Sequence, residues 1–132
     1  MRLAESEPRD YAYLITPTGN ELPEMQDHWK NLEMLLGKPL TFLKPFGPGD
    51  GLHWLIMQYQ ACPNWRQRWC TRVIKILPCI AWLKANAVDA TLCVGLRADE
   101  EDREGLYDKL IKCRFPMREW GWKLDDVRAR CA

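Results

Sequence analysis

Residues 91–103, with the sequence TLCVGLRADEEDR, decide the fold expected for this chain, because a short apolar run passes directly into a charged turn. The run at 91–96 is rich in β-branched and aliphatic residues and too short for a typical helix, which predicts a buried strand. In an open parallel sheet, ligands bind beyond the carboxyl ends of the strands. Arg97 and Asp99 stand at such a strand end. Two interpretations carry equal weight for them: a ligand site, or a solvated turn of mutually paired charges.

The composition of the 132-residue chain is that of a globular domain with one unusual feature, its seven tryptophans. Tryptophan is enriched at interfaces, so some of these side chains are candidates for a partner surface. With 19 basic and 18 acidic residues the net charge is +1, which argues against a general polyanion binder and confines any anion site to a local cluster. No apolar stretch could span a membrane, and residues 1–10 lack the apolar core of a signal peptide, which predicts a cytoplasmic protein without membrane contact.

The six cysteines follow no metal-binding pattern, since their spacing contains no CxxC pair and no nearby histidine pair. Without a secretory signal, reduced thiols that serve as small apolar residues are the favoured interpretation. A zinc or iron–sulfur site is therefore not expected, and no metal ligand is assigned.

Strand and helix patterns alternate along the chain after a flexible lead-in at residues 1–10. The first elements are predicted in this order: a strand at 11–16, a helix from Pro23 to Gly37, a strand at 39–44 and a helix at 52–60. The first helix carries four apolar residues at helical spacing, which predicts a side that faces the core: Met25, Trp29, Leu32 and Leu36. The alternation predicts a single α/β domain, residues 11–132, with a parallel sheet flanked by helices.

The most basic stretch of the chain lies at residues 63–78, PNWRQRWCTRVIKILP. Helical spacing places Arg68, Arg72 and Lys75 on one side of a predicted helix and apolar residues on another. The basic side is interpreted either as a solvated face or as a clamp for phosphate or sulfate, for which the arginine fork is well suited. Pro78 interrupts the helical pattern and predicts a kink, followed by a second helical piece.

Four segments in order resemble the phosphoadenosine phosphosulfate (PAPS) reductase family, in particular its phage and prophage members: TPTGNELPEM at 16–25, PNWRQRWCTRVIKILP at 63–78, GLRADEEDR at 95–103 and FPMREWGWKLDDV at 115–127. The resemblance implies a partial Rossmann-like fold of the adenine-nucleotide α-hydrolase type. It also implies an adenine (sulfo)nucleotide ligand, such as PAPS, adenosine bisphosphate or ATP, and descent from sulfonucleotide reductases or transferases.

The same resemblance implies a nucleotide- or anion-binding set drawn from three parts of the chain. These are a TG turn beside the adenine nucleotide, a basic helix at the sulfate or phosphate end, and a charged turn lining the same pocket: Thr18, Gly19 and Glu21; Arg68, Arg72 and Lys75; and Arg97, Asp99 and Arg103. Strand-end turns and a basic helix that converge on one cleft would form an anion site without a high net charge.

The sequence departs from the family pattern at two functional segments. It has no Ser-Gly-Gly-Lys-Asp-Ser type phosphate loop, and its only glycine-rich stretch, GPGDG at 47–51, contains neither Lys nor Ser. The family's catalytic cysteine stands in a Glu-Cys-Gly tail that Cys131 does not match, so no catalytic residue is assigned. The family's first strand would lie between 11–16 and 91–96, and without it either these two strands pair directly or another chain completes the sheet.

Two functions follow as expectations, and a third is kept beside them. The first is an adenine (sulfo)nucleotide-binding domain whose catalysis is left open. The second is a non-catalytic, phage-encoded protein acting in the bacterial host cytoplasm, which inhibits host defence as an anti-CRISPR protein does. It would bind a protein partner or form a homodimer through Trp65, Trp69 and Arg66. The third is nucleic-acid binding, with Trp65 and Trp69 as stacking platforms, which the near-neutral charge disfavours.

Overall fold

The computed structural model describes residues 2–44, 51–64, 66–100 and 111–131. Its contacts divide the chain into two compact units, Met1–Asn86 and Ala87–Ala132, so that a single domain over residues 11–132 stays a prediction. Both units combine helices with a short parallel strand pair, and the mixed α/β class expected from the sequence is confirmed. The lead-in expected to be flexible contains a short helix, α1 (Arg2–Ser6).

In the first unit, β1 (Tyr13–Ile15) and β2 (Leu40–Phe42) form a two-stranded parallel sheet. Both strands lie within the ranges predicted from the sequence and are shorter than predicted. Tyr13 pairs with Leu40 and Ile15 with Phe42. The helix α2 (Pro23–Leu36) supplies the crossover that a parallel pair requires.

The bounds of α2 follow from local chemistry, as predicted. Pro23 occupies the first helical position, where a missing N–H is harmless, and Glu24 lies in the first turn near the positive end of the helix dipole. Gly37 ends the helix in the left-handed conformation, with a φ of 63°. The Glu33 carboxylate accepts a hydrogen bond from the Leu40 amide at 2.8 Å, which fixes the start of β2 against the helix.

The side of α2 expected in the core is only partly covered. Trp29, Leu32 and Leu36 are half-buried and Met25 is 38% exposed, so none of the four is a fully buried core residue. The Trp29 ring contacts the Phe42 ring edge-on, with 5.2 Å between the ring centroids. A two-stranded sheet has too little surface to cover the whole side of a fourteen-residue helix.

The core of the first unit forms where α3 (Gly51–Tyr59) packs against the helix that follows it. Leu55, Val73 and Ile74 make the buried cluster, and partly buried residues pack around it: Leu52, Trp54, Trp69 and Cys70. Burial of these apolar side chains is the main favourable contribution to the stability of this unit.

The predicted kink at Pro78 takes the form of a change in helix type. A π-helix (Thr71–Ile76) precedes α4 (Leu77–Asn86), and the Leu77 amide donates to the Arg72 carbonyl, five residues earlier. Pro78 lacks an N–H and its ring crowds the carbonyl four residues before it, so a regular α-helix cannot pass through this point. The wider π-helical turn is the local adjustment that accompanies the proline.

The second unit contains β3 (Leu92–Cys93) and β4 (Cys113–Arg114), which pair in parallel. The strand predicted at 91–96 is present but shorter, and β4 was not predicted. Two helices follow, α5 (Pro116–Glu119) and α6 (Leu124–Cys131), with an aromatic turn between them in which Trp120 and Trp122 meet edge-on at 5.5 Å.

The strand pairing differs from the expectation that 11–16 and 91–96 are neighbours in one sheet. Among the described residues β1 pairs with β2 and β3 pairs with β4, in two two-stranded sheets. Each strand thus has a parallel partner from its own unit. The expected role of another chain in completing the sheet stays a prediction.

Candidate functional site

The turn after β1 binds a carboxylate that belongs to the chain itself. The Glu21 carboxylate accepts hydrogen bonds from the Thr18 amide, from the Thr18 hydroxyl at 2.7 Å and from the Gly19 amide at 3.0 Å. All three residues belong to the turn that the family resemblance places beside the adenine nucleotide. Three neighbouring donors that converge on one acidic group form a small anion site, and in this structure Glu21 fills it.

The same turn is joined to the start of α3 by a close backbone approach. The Leu52 amide donates to the Thr18 carbonyl at 2.6 Å. Gly19 and Gly51 both have a positive φ, of 83° and 73°, and a Cβ built on Gly51 would lie 2.4 Å from the Thr18 oxygen. Glycine is therefore required on the α3 side of this contact.

The hydrogen bonds to Glu21 alter its acidity. Partial burial opposes its ionised form, but the bonds from Thr18 and Gly19 outweigh burial and hold the pKa of the Glu21 carboxyl below its ordinary value. Glu21 is thus ionised at neutral pH, and the donors of the turn stabilise its negative charge. An external phosphate would have to displace it to reach the same donors.

We expect Glu21→Gln to lower the free energy of unfolding at pH 7 by about 1 kcal/mol, because an amide is a weaker acceptor than a carboxylate. A lowered folded-state pKa contributes stability above the unfolded-state pKa and loses it as the pH falls through the folded-state value. The gap between wild type and Glu21→Gln is therefore expected to stay level from about pH 7 to about pH 5 and to shrink from there toward about pH 3.

Urea unfolding of both proteins across that pH range measures the gap. Asp89→Asn is the matched control, since Asp89 is an exposed carboxylate outside any helix with no hydrogen bond among the described residues. A gap between wild type and Glu21→Gln that stays constant with pH would contradict the role given to the carboxylate.

Arg68, Arg72 and Lys75 form what we call the basic face. All three are exposed; Arg72 and Lys75 lie on the π-helix and Arg68 just ahead of it, while Val73, Ile74 and Ile76 of that helix are buried, as the predicted two-sided pattern requires. The Arg72 amide reaches the Arg68 carbonyl at 3.5 Å, which closes the helical turn that brings these two arginines to one side. None of the three is ion-paired within the part of the chain that the structure describes.

A short capping turn leads into the basic face. The Asn64 side-chain oxygen accepts hydrogen bonds from the amides of Arg66 at 2.9 Å and Gln67 at 2.8 Å. Arg66 is exposed, and Trp65 lies outside the described residues. Because Asn64 organises the backbone ahead of the helix, the first arginine of the basic face starts from a fixed position.

Trp69, expected as a partner-binding residue, is half-buried and packs against the core cluster of the first unit. Its ring stacks on that of Tyr59, with 4.7 Å between centroids and 26° between planes. Its indole Nε1 is buried without an acceptor among the described residues. Trp69 is therefore unsuited to stacking directly on an incoming base. Tyr59, the other ring of the pair, is the last residue of α3.

The charged turn after β3 satisfies its own charges. Arg97 pairs with Asp99 at 2.9 Å and with Glu100 at 3.7 Å, and the Glu100 carboxylate also accepts the Arg97 amide. Burial opposes ionisation of Asp99, but the hydrogen bonds from Arg97 and from the Leu124 amide outweigh it and lower the pKa of Asp99. This arrangement matches the paired-turn interpretation of Arg97 and Asp99.

Two hydrogen bonds connect the same turn to residues 118–122. The Ala98 amide donates to the Trp122 carbonyl at 2.8 Å, and the Arg118 guanidinium donates to the Glu100 carbonyl at 2.6 Å. The turn thus organises the second unit. Arg103, the third residue expected in this group, lies outside the described residues.

The predicted site residues thus fall into sets with different roles. Thr18, Gly19 and Glu21 form one hydrogen-bonded turn in the first unit, and the basic face lies on and just ahead of the π-helix of that unit. Sequence reasoning missed Tyr59, because its contact with Trp69 is tertiary and leaves no pattern in the chain.

Among the described cysteines, Cys79 is the least suited to act as a nucleophile. Cys79 is buried, and burial raises the pKa of its thiol, which keeps it protonated and unreactive. Cys62, Cys70, Cys93 and Cys113 form no disulfide among the described residues. No cluster of three metal-ligating side chains occurs in those residues either.

Comparison with known proteins gives no family for this chain: it matches no protein-family model and no curated protein sequence. None of the helices in the described ranges has the length and apolar character needed to cross a membrane.

Proposed function

We propose that this chain is a PAPS reductase-like domain of partial Rossmann-like type that binds an adenine (sulfo)nucleotide, such as PAPS, adenosine bisphosphate or ATP. The observation that carries the proposal is the basic face: Arg72 and Lys75 are exposed on the π-helix, Arg68 is exposed just ahead of it, and none has an ion-pair partner among the described residues. A cluster of arginines on a fixed helix is suited to hold phosphate or sulfate oxygens through charge-assisted hydrogen bonds.

The contacts of α3 support a site in this part of the first unit. The Thr18 carbonyl accepts a hydrogen bond from the Leu52 amide at the start of α3. The Leu52 side chain packs against the core cluster, and so do Trp69 and Cys70, which directly precede the π-helix. Both segments that resemble the family's nucleotide site therefore contact the first two turns of the same helix. A rigid helix between two binding segments keeps their spacing constant.

The occupied turn decides which segment takes the anionic end of the ligand. Glu21 already satisfies the donors of Thr18 and Gly19, whereas no carboxylate of the described residues pairs with the basic face. The phosphate or sulfate therefore goes to the basic face. The proposal covers binding and assigns no catalytic step, since no described thiol is placed as a nucleophile.

A second candidate, protein binding without catalysis, is favoured by exposed apolar side chains around α2. Leu22 is 70% exposed, Phe42 is 45% exposed, and Met25 lies between Leu22 and the Trp29 that contacts Phe42. Such a patch suits a protein partner or a homodimer, as in a phage-encoded inhibitor of host defence of the anti-CRISPR kind. Sedimentation at rising protein concentration distinguishes a homodimer, whose mass doubles, from a chain that binds a different protein and stays monomeric alone.

Calorimetric titration with PAPS, adenosine 3′,5′-bisphosphate and ATP tests the nucleotide proposal. We expect micromolar binding to the wild type, about 8 kcal/mol, for at least one of the three. The triple variant Arg68→Ala, Arg72→Ala, Lys75→Ala is expected to lose about 100-fold or more, because each removed cation takes away a charge-assisted hydrogen bond.

The matched control removes equal charge elsewhere in the first unit: Arg9→Ala, Lys30→Ala, Lys84→Ala. We expect its nucleotide affinity to stay within about threefold of wild type, since distant exposed charges act only through a screened field. No wild-type binding at millimolar nucleotide, or equal loss in both triple variants, would overturn the nucleotide proposal and leave protein binding as the remaining candidate.

A further inference from the structure

Three departures from regular structure meet beside the basic face. Tyr59 ends α3, and the next residue, Gln60, has a positive φ of 48°, a conformation that side chains other than glycine rarely adopt. Trp69, the stacking partner of Tyr59, buries an indole N–H that has no acceptor among the described residues, and Arg72 and Lys75 lie on the π-helix. Pro78 accounts for the π-helix, whereas the other two departures cost stability, and such departures concentrate at functional sites.

The Tyr59 ring is stacked on one side and still accessible to solvent. Trp69 stacks on it at 4.7 Å between ring centroids, yet Tyr59 remains 52% exposed, and we take the ring face opposite Trp69 as its open face. Trp69 is in turn packed against the core cluster of Leu55, Val73 and Ile74, so the ring is supported from behind by a rigid base. An aromatic ring held flat with one face open to solvent is a stacking surface.

Arg68 and Arg72 flank this ring pair along the chain. Arg68 immediately precedes Trp69, and Arg72 follows it by three residues, a spacing at which helical side chains are neighbours. A ligand that carries both an aromatic base and an anionic group would therefore contact the open ring with one end and the basic face with the other.

We propose that the open face of Tyr59 stacks the base of a nucleoside phosphate whose phosphate groups are bound by the basic face. This assignment rests on the nucleotide proposal above and adds the residue that recognises the base. Stacking accepts any base, so Tyr59 explains affinity for nucleotides over simple anions, and selection of adenine is left to other contacts.

Two ligands that differ only in the nucleoside test the proposal: ATP and inorganic triphosphate. We expect the wild type to bind ATP more tightly by about 5- to 100-fold, the contribution of one stacked base. Tyr59→Leu is expected to abolish most of this preference by weakening ATP alone. Tyr59→Phe keeps the ring and is expected to retain the wild-type affinity for ATP within about twofold.

Several results would overturn the role of Tyr59. They are an unchanged ATP affinity in Tyr59→Leu, an equal loss for ATP and triphosphate, and a loss in Tyr59→Phe as large as in Tyr59→Leu. Saturation-transfer NMR on the wild type is independent of variant folding: stronger transfer to the adenine protons than to the ribose protons supports stacking, and the reverse order contradicts it.

The two proposals fail in different ways. If the basic-face triple variant binds ATP as well as the wild type, or if the wild type binds no nucleotide, the nucleotide function itself is wrong. If the triple variant loses ATP while Tyr59→Leu does not alter the preference over triphosphate, only the assignment of Tyr59 is wrong.

Discussion

Gly51→Ala is expected to lower the free energy of unfolding of the first unit by about 2–4 kcal/mol, through backbone strain and steric overlap together. The added Cβ would lie 2.4 Å from the Thr18 oxygen and 3.1 Å from the Gly19 Cα, and Gly51 has a φ of 73°. Relief of this overlap requires α3 to move away from the turn, which breaks the 2.6 Å hydrogen bond from the Leu52 amide to the Thr18 carbonyl.

Gly37→Ala is the comparison that separates backbone strain from steric overlap. Gly37 has a similar φ of 63°, but no atom lies within 4 Å of a Cβ added there. Gly37→Ala is expected to lower the free energy of unfolding by about 1 kcal/mol, which is the cost of holding alanine at a positive φ. Urea unfolding of both variants followed by circular dichroism measures the difference. Equal destabilisation of the two variants would show that the contact between the turn and α3 is not tight.

Ile74→Ala is expected to destabilise the first unit by about 2–5 kcal/mol, the range for removing a large aliphatic side chain from a packed core. Ile74 is only 1% exposed and belongs to the cluster that joins α3 to the π-helix. The loss combines lost burial with a cavity that rigid neighbours cannot close, so the expected cost exceeds that of burial alone.

Met34→Ala provides the comparison for Ile74→Ala, because Met34 is 73% exposed on α2 of the same unit. Its expected effect is within about 0.5 kcal/mol of zero. Thermal and urea unfolding of the two variants measure how much each substitution lowers the free energy of unfolding. A cost for Ile74→Ala below about 1 kcal/mol would mean that the core at the π-helix is loosely packed.

Local signals in the sequence predict α2 and its boundaries well. Pro23 at the start, the apolar spacing of Met25 and Trp29, and Gly37 at the end all act within a few residues of one another. Helical spacing likewise predicts that Arg72 and Val73 lie on different sides of their helix, and the structure has Arg72 exposed and Val73 buried. The first two strands are located by their β-branched and aromatic residues, within longer ranges than they occupy.

Features that depend on tertiary contact escape prediction from the sequence. β4 has two residues, too few to show any periodicity, and it is a strand only because Leu92 pairs with Cys113. Nothing local distinguishes Glu21 as a ligand of its own turn from Glu21 as a ligand-binding residue. The stack of Tyr59 on Trp69 joins residues ten positions apart through a turn, and no spacing rule predicts it.

The π-helix at Thr71–Ile76 fixes the rotational phase of α4, which follows it directly. A π-helical turn holds one residue more than an α-helical turn, so the extra residue is taken up locally and α4 keeps Cys79, Ile80 and Leu83 on its buried side. One further residue inserted before Leu77, with no second wide turn to take it up, would rotate α4 by about 100° and turn these side chains away from the core. The number of residues ahead of α4 is therefore as much a part of the fold as their identity.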